Sequence, residues 1–244
     1  MSSRGSQPYG DLVLSFPLAS CVGLSLMAFR VSVESGHPFV SFARLYAQSG
    51  KTREAREVLE NYYRNWRPRT QAEVYGLVRC RPPQWATETV TQRRWPLPLP
   101  WIAATATQPR RRPRQAIGPA TRWRIAKKAR QLAVLTASIK AEGVRCDHAN
   151  LRDHIRGHLL SHGTRSALLL TGGNNRAAAA AALDFQNVPV LITSVVRRED
   201  AGGWPNVMTG QFSEEQALEV FDRVSSATQP AEYGVNRSST GRIP

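Results

Sequence analysis

One stretch constrains the fold more than any other: "SALLLTGGNNRAAAAAALDFQNVPVLITSVV", residues 166–196. The apolar run Ala167–Leu170 is too short for a helix and reads as a buried strand. Gly172 and Gly173 interrupt it, and the alanines at 177–182 are the strongest helix formers available. Val188, Val190 and Ile192 then supply the β-branched residues of a second strand. Strand, glycine turn, helix and strand in such close succession require helices packed on a sheet. If the two strands are parallel, the crossover is right-handed and the turn sits at the carboxyl end of the first strand, where open α/β sheets bind ligands.

The turn itself reads as an anion site. Gly172 and Gly173 let backbone N–H groups approach a ligand closely. Asn174 or Asn175 is placed to act as the helix N-cap, and the N–H groups of the first turn favour negative charge. Arg176 is the informative residue: a cation there opposes the helix macrodipole, at roughly some tenths of a kcal/mol. A phosphate would satisfy both the dipole and the guanidinium, with bidentate geometry available. The plainer reading has Arg176 in solvent or paired with a local carboxylate, and two glycines followed by an arginine do not by themselves separate the two.

The rest of the chain divides by composition. Residues 12–29 are apolar but hold serines, a proline and a glycine, a poor match to a membrane span or a signal peptide, so residues 1–30 read as a poorly ordered or strand-like start. Residues 31–78 form a helical unit, with Phe39, Phe42, Ala43 and Tyr46 on one apolar stripe and Val58, Leu59, Tyr62 and Tyr63 on the next. Residues 79–120 read as a basic, proline-rich connector; across 79–130 there are 13 Arg or Lys against one acid, Glu88. Helical character returns near Trp123 and stops at Gly143. "HANLRDHIRGHLLSHG" reads as a further short helix, and "SEEQALEVFDRV" as the last one, with Ser213 and Gln216 at capping-box spacing. The loop around Trp204-Pro205 reads as an anchored aromatic, and residues 225–244 as a disordered tail.

Charge and cysteine usage narrow the class. With 33 Lys and Arg against 18 Asp and Glu, the net charge is +15, which attracts polyanions or reflects a coding bias towards arginine. Three cysteines, Cys21, Cys80 and Cys146, lie far apart with no Cys-x-x-Cys, which disfavours a zinc ribbon or a disulfide framework and fits a cytoplasmic location. His154, His158 and His162 recur every four residues, but Gly157 and Gly163 break the helix that would align them, so no metal site is assigned. Arg152, Arg156 and Arg165 in and beside the same segment are candidates for a second wall of the phosphate site.

Two segments together resemble the ParB/sulfiredoxin superfamily. "LTASIKAEGV", Leu135–Val144, is similar to the ParB Leu-x-x-Ser-Ile-x-x-x-Gly segment. The Gly172–Arg176 turn is similar to the Gly-Glu-Arg-Arg of ParB proteins and the Gly-Gly-Cys-His-Arg of sulfiredoxins, and "NVPVLI" follows at the matching distance. The resemblance covers residues 120–196 and implies that the turn and its arginine hold nucleotide phosphates. Asn174 stands where sulfiredoxins carry their cysteine, and Asn175 where related forms carry histidine, so the sulfinic-acid chemistry has no nucleophile and a neutral amide supplies no general base. The ParB glutamate is missing, as is the helix-turn-helix that would follow Val196.

The sequence therefore predicts an α+β protein: a short helical unit, a basic connector, and a small mixed α/β domain over residues 121–224. Its expected role is a nucleotide- or phosphate-binding module with weak or no catalysis, using Gly172, Gly173, Asn174, Asn175 and Arg176, with a nucleoside triphosphate and Mg²⁺ as the ligand and no catalytic residue assigned. One alternative is a non-enzymatic interaction protein whose basic connector binds nucleic acid, non-specifically, or another polyanion; another is a metal-dependent ParB-like nuclease. No membrane partner is expected.

Overall fold

The computed structural model describes residues 13–77, 79–87, 99–103, 118–144 and 154–233. The fold is α+β. Among the described residues the strands are β1 (Val13–Pro17), β2 (Cys21–Gly23), β3 (Phe29–Arg30), β4 (Ile155–His162), β5 (Arg165–Gly172) and β6 (Asn187–Arg197). They form one mixed sheet in the order β1-β6-β4-β5-β2-β3. The helices are α1 (Pro38–Ser49), α2 (Thr52–Asn65), α3 (Gln71–Tyr75), α4 (Arg122–Glu142), α5 (Asn174–Ala182), α6 (Pro205–Met208) and α7 (Glu214–Ser225).

Both faces of the sheet are covered, and this explains the unbroken apolar run of β5. Side chains alternate across a strand: Leu168 and Leu170 join one core with Phe39, Phe42, Leu59, Ile125, Leu132 and five of the six α5 alanines. Ala167 and Leu169 join the other, with Tyr75, Trp204, Phe221 and Val224. All six alanines of α5 are buried, since the helix lies against α1, α4 and β4. A helix apolar on every side belongs inside, and alanine lets the neighbouring backbones come close.

This packing joins segments that the sequence separates. Residues 13–30 supply three of the six strands, where a poorly ordered start is expected from sequence; β2 is central enough that Cys21 and Val22 are fully buried. Burial raises the Cys21 thiol pKa to about 12, which makes it an unreactive part of the core. The helical unit is not a separate body either, for Tyr62, Tyr63 and Trp66 share one core with Ile125 and Ile155. Described parts of the connector also pack. Trp101 stands edge-on to Trp204, ring centroids 5.4 Å apart, and Trp85 donates its indole N–H to the Gln211 carbonyl at 2.6 Å. The arginine run at 110–114 lies outside the described residues. The expected tail begins as ordered chain: Tyr233 packs edge-on against Phe29 and Trp66, centroids 5.6 and 5.7 Å apart.

The histidine-rich segment is a strand, not a helix. β4 makes a hairpin with β5 across a turn at Gly163 (φ +56°) and pairs with β6 on its other side. Burial on both faces hides the alternation that identifies a half-buried strand. Because β4 is antiparallel to β5 and parallel to β6, β5 and β6 run opposite ways with β4 between them. The right-handed crossover envisaged from sequence therefore does not apply. The strand parallel to β5 is instead β2, which lies in the segment expected to be poorly ordered. No helix of the described residues is long and apolar enough to cross a membrane.

Candidate functional site

The parallel strands β2 and β5 have their carboxyl ends on the same side of the sheet, and the Gly172–Arg176 turn leaves from there. Gly173 is the N-cap of α5, with φ +72°, and no side chain caps it; the expected cap by Asn174 or Asn175 is not formed. Those residues are already inside the first turn. The first intrahelical bond runs from the Ala177 N–H to the Gly173 carbonyl at 3.0 Å, so the N–H groups of 174–176 precede the ladder.

Packing accounts for both glycines. A Cβ on Gly173 would lie 2.6 Å from the Ile155 Cα, and one on Gly172 would lie 2.7 Å from the Arg156 Nε. The first approach fixes the turn against the start of β4. The second lays a guanidinium directly across the turn. Arg156 makes no ion pair among the described residues. Of the three arginines suggested from sequence as a second wall, Arg156 is thus brought to the turn. Arg165 sits opposite His162 at the far end of the hairpin, and Arg152 lies outside the described residues.

The two asparagines divide the work. Asn174 Oδ1 accepts the Leu24 N–H at 2.9 Å, and its Nδ2 donates to the Leu170 carbonyl at 3.5 Å. Its amide therefore pins the exit of β2, where Leu24 and Ser25 have φ of +58° and +50°. Asn175 Oδ1 accepts from the Lys128 Nζ at 3.5 Å, which brings a cation from α4 to the turn. Lys128 also stands 5.1 Å from the Phe39 ring centroid. Arg176 is half-buried in the first turn. Lys128 from α4 and Arg156 from β4 thus reach a helix start that carries Arg176 in its first turn and no acidic residue there.

A fourth group carries almost no sequence signal. His37, 1% exposed, is the N-cap of α1, and its Nδ1 accepts the Phe39 N–H at 3.1 Å. The neutral ring then carries its proton on Nε2, and that buried nitrogen has no partner. A Cβ on Gly23 would lie 2.9 Å from this Nε2 and 3.1 Å from Asn174 Oδ1, so the glycine holds open the space beside both. Burial lowers the His37 pKa to about 3 and keeps the imidazole neutral.

Two β-bulges shape the edge. Thr171 is extra opposite Arg156/Gly157, and Thr193 is extra opposite Gly157/His158. Their hydroxyls donate to the carbonyls of Arg156 at 3.4 Å and Gly157 at 2.9 Å. Bulges of this kind bend strands and re-aim side chains. A Cβ on Gly157 would lie 2.2 Å from the Leu169 carbonyl, so the double bulge admits only glycine there. His158 Nδ1 lies 2.6 Å from Ser194 Oγ, and burial lowers its pKa to about 4. Among the described residues no group of three His, Cys, Asp or Glu side chains is disposed to hold a metal.

The Trp204-Pro205 loop is not part of this site. Trp204 packs in the core on the opposite face of the sheet, its ring centroid 5.6 Å from that of Phe221. Comparison with protein-family models, with curated proteins and with solved structures returns no match to this chain.

Proposed function

We propose that the start of α5 binds the phosphate groups of a nucleotide, with Gly173, Asn174, Asn175 and Arg176 presenting N–H groups and Arg156, Lys128 and Arg176 presenting charge. The observation that carries this reading is that Lys128 from α4 and Arg156 from β4 reach an uncapped helix start that carries Arg176. A cation in the first turn of a helix opposes the macrodipole, and an anion bound there relieves that cost. The sequence resemblance to the ParB/sulfiredoxin superfamily, which rests on this same turn together with Leu135–Val144, points to the same assignment and to a nucleoside triphosphate with Mg²⁺.

The chemistry of the site favours binding over turnover. Asn174 spends its amide on the backbone of Leu24 and Leu170, and Asn175 is a neutral amide. Neither can remove a proton near pH 7. His37 is neutral, but its free nitrogen is a donor in the tautomer set by the Phe39 N–H.

Calorimetric titration of the full chain with each of the four nucleoside triphosphates, in Mg²⁺, tests this. Binding of at least one is expected, with Arg176→Ala weakening it at least tenfold, about 1.4 kcal/mol. Absence of heat with every triphosphate, from protein shown to be folded, overturns the proposal.

A further inference from the structure

Helix α4 carries a second cationic surface, distinct from the turn. Its buried stripe, Ile125, Ala129, Leu132, Ala133, Thr136 and Ile139, faces the core shared with α1, α2 and α5. The opposite side exposes Trp123, Lys127, Arg130 and Val134, at helical spacing on one line. Trp123 is 69% exposed and is the one aromatic so exposed among the described residues. A tryptophan in water forgoes the burial for which that side chain is normally used. The fold therefore does not explain its presence.

The surrounding charges all point one way along α4. Residues 122–131 hold five cations, Arg122, Arg124, Lys127, Lys128 and Arg130, and no acid. They crowd the end of the helix where cations oppose the macrodipole. Lys127 Nζ stands 5.1 Å from the Trp123 ring centroid. Beside this face runs a groove of about 490 Å³, lined by Arg56, Glu60, Arg122, Trp123 and Ala126. Its one acid, Glu60, is engaged by Arg56 at 2.9 Å, and α2 as a whole balances Arg53, Arg56 and Arg64 against Glu54, Glu57 and Glu60. The excess positive charge thus belongs to α4.

We propose that this face of α4 binds single-stranded nucleic acid, with Trp123 as a stacking platform for a base and Arg122, Lys127 and Arg130 meeting the backbone phosphates. An exposed aromatic among cations, with no acid interleaved along residues 122–131, is the combination that single strands use, because every unpaired base has a π-face. The stretch 122–130 is about 12 Å long at 1.5 Å per residue, the length of three to four stacked nucleotides at roughly 3.4 Å each. A duplex keeps its bases from the ring. A membrane surface requires a broad apolar face, whereas this one offers Trp123 and, about 16 Å further along the helix, Val134.

The test is fluorescence anisotropy of a labelled 15-nucleotide oligo(dT) titrated with the full chain over a salt series, with a duplex of equal length and phosphatidylserine vesicles as competitors. Trp123→Ala is expected to weaken binding at least fivefold, as removal of one stacked base does, and Trp123→Phe to retain most of it. Lys127→Gln with Arg130→Gln is expected to lower the slope of log affinity against log salt by about 1.4, near 0.7 for each phosphate no longer neutralised. The exposed position of Trp123 leaves the core intact in either variant, which circular dichroism verifies. Equal affinity of wild type and Trp123→Ala overturns the proposal and transfers any binding to other basic segments. So does a duplex or a vesicle that displaces the oligonucleotide at lower concentration than unlabelled oligo(dT).

Discussion

Two helix starts in this molecule solve the same problem in opposite ways. At α7, Ser213 accepts the Gln216 N–H at 3.1 Å, Gln216 accepts the Ser213 N–H in return at 2.9 Å, and Glu214 and Glu215 complement the dipole. That end is closed, and the helix docks through Val220, Phe221 and Val224. At α5, glycine occupies the cap, no side chain bonds to the first turn as a cap, and cations replace acids. The first arrangement is what stability alone selects. The second leaves the first-turn N–H groups without a side-chain cap, the arrangement that the proposed phosphate site calls for.

The contrast is tested most sharply at Gly173. Its φ of +72° and the 2.6 Å approach of a Cβ to Ile155 mean that Gly173→Ala should cost more than about 2 kcal/mol or prevent folding. Gly163→Ala, at φ +56° with nothing within 4 Å of its Cβ, should cost only about 1 kcal/mol. Urea denaturation of both measures the difference; equal losses would show that the turn is not seated on β4.

Next in size is the effect of pH through His37. Its folded pKa of about 3 lies below the 6.5 of the free side chain, so the unfolded chain binds a proton that the folded chain refuses. Well above pH 6.5 the ring is neutral in both states and contributes no pH dependence. As pH falls from 6.5 towards 3, stability should drop by up to about 1.4 kcal/mol per unit. His158 adds a slope of the same sign down to about pH 4. His37→Asn should flatten the loss between about pH 7 and pH 5, measured by urea denaturation; an unchanged slope would place the imidazole in water.

Arg176→Ala and Ser213→Ala then sharpen the contrast at the two starts. Removal of the Ser213 cap should cost about 1 kcal/mol and leave phosphate affinity intact. Removal of the Arg176 charge should change stability by only some tenths of a kcal/mol if the dipole term dominates, while phosphate affinity falls at least tenfold. Melting temperatures and calorimetry on the same two variants read both effects. Crossed results, with Ser213 governing affinity or Arg176 governing stability, would remove the distinction.

How much of the molecule is legible in its sequence follows from where the forces lie. The strand at Leu168–Leu170, the alanine helix and the capping box at Ser213 are readable because local propensity and tertiary packing agree there. β4 reads as a helix in sequence because it is covered on both faces and doubly bulged at Gly157, which erases period-two alternation. Residues 13–30 escape a sequence reading because β1 and β2 pair with strands more than 140 residues away, which no local window contains. At the site, the glycines and Arg176 are visible as a pattern. Arg156, Lys128 and His37 become part of it only when β4, α4 and α1 converge on α5. The asparagines leave the capping role for the same reason: Asn174 has a backbone partner at Leu24 that no spacing rule foresees.

The most direct measurement is a titration of the ¹⁵N-labelled chain with inorganic tripolyphosphate, followed by amide chemical shifts. Shift changes concentrated at Gly172–Ala177 are expected, with none at Ser213–Ala217, and their loss in Arg176→Ala. Shifts absent from Gly172–Ala177, or equal at the two helix starts, would contradict an anion site at the start of α5.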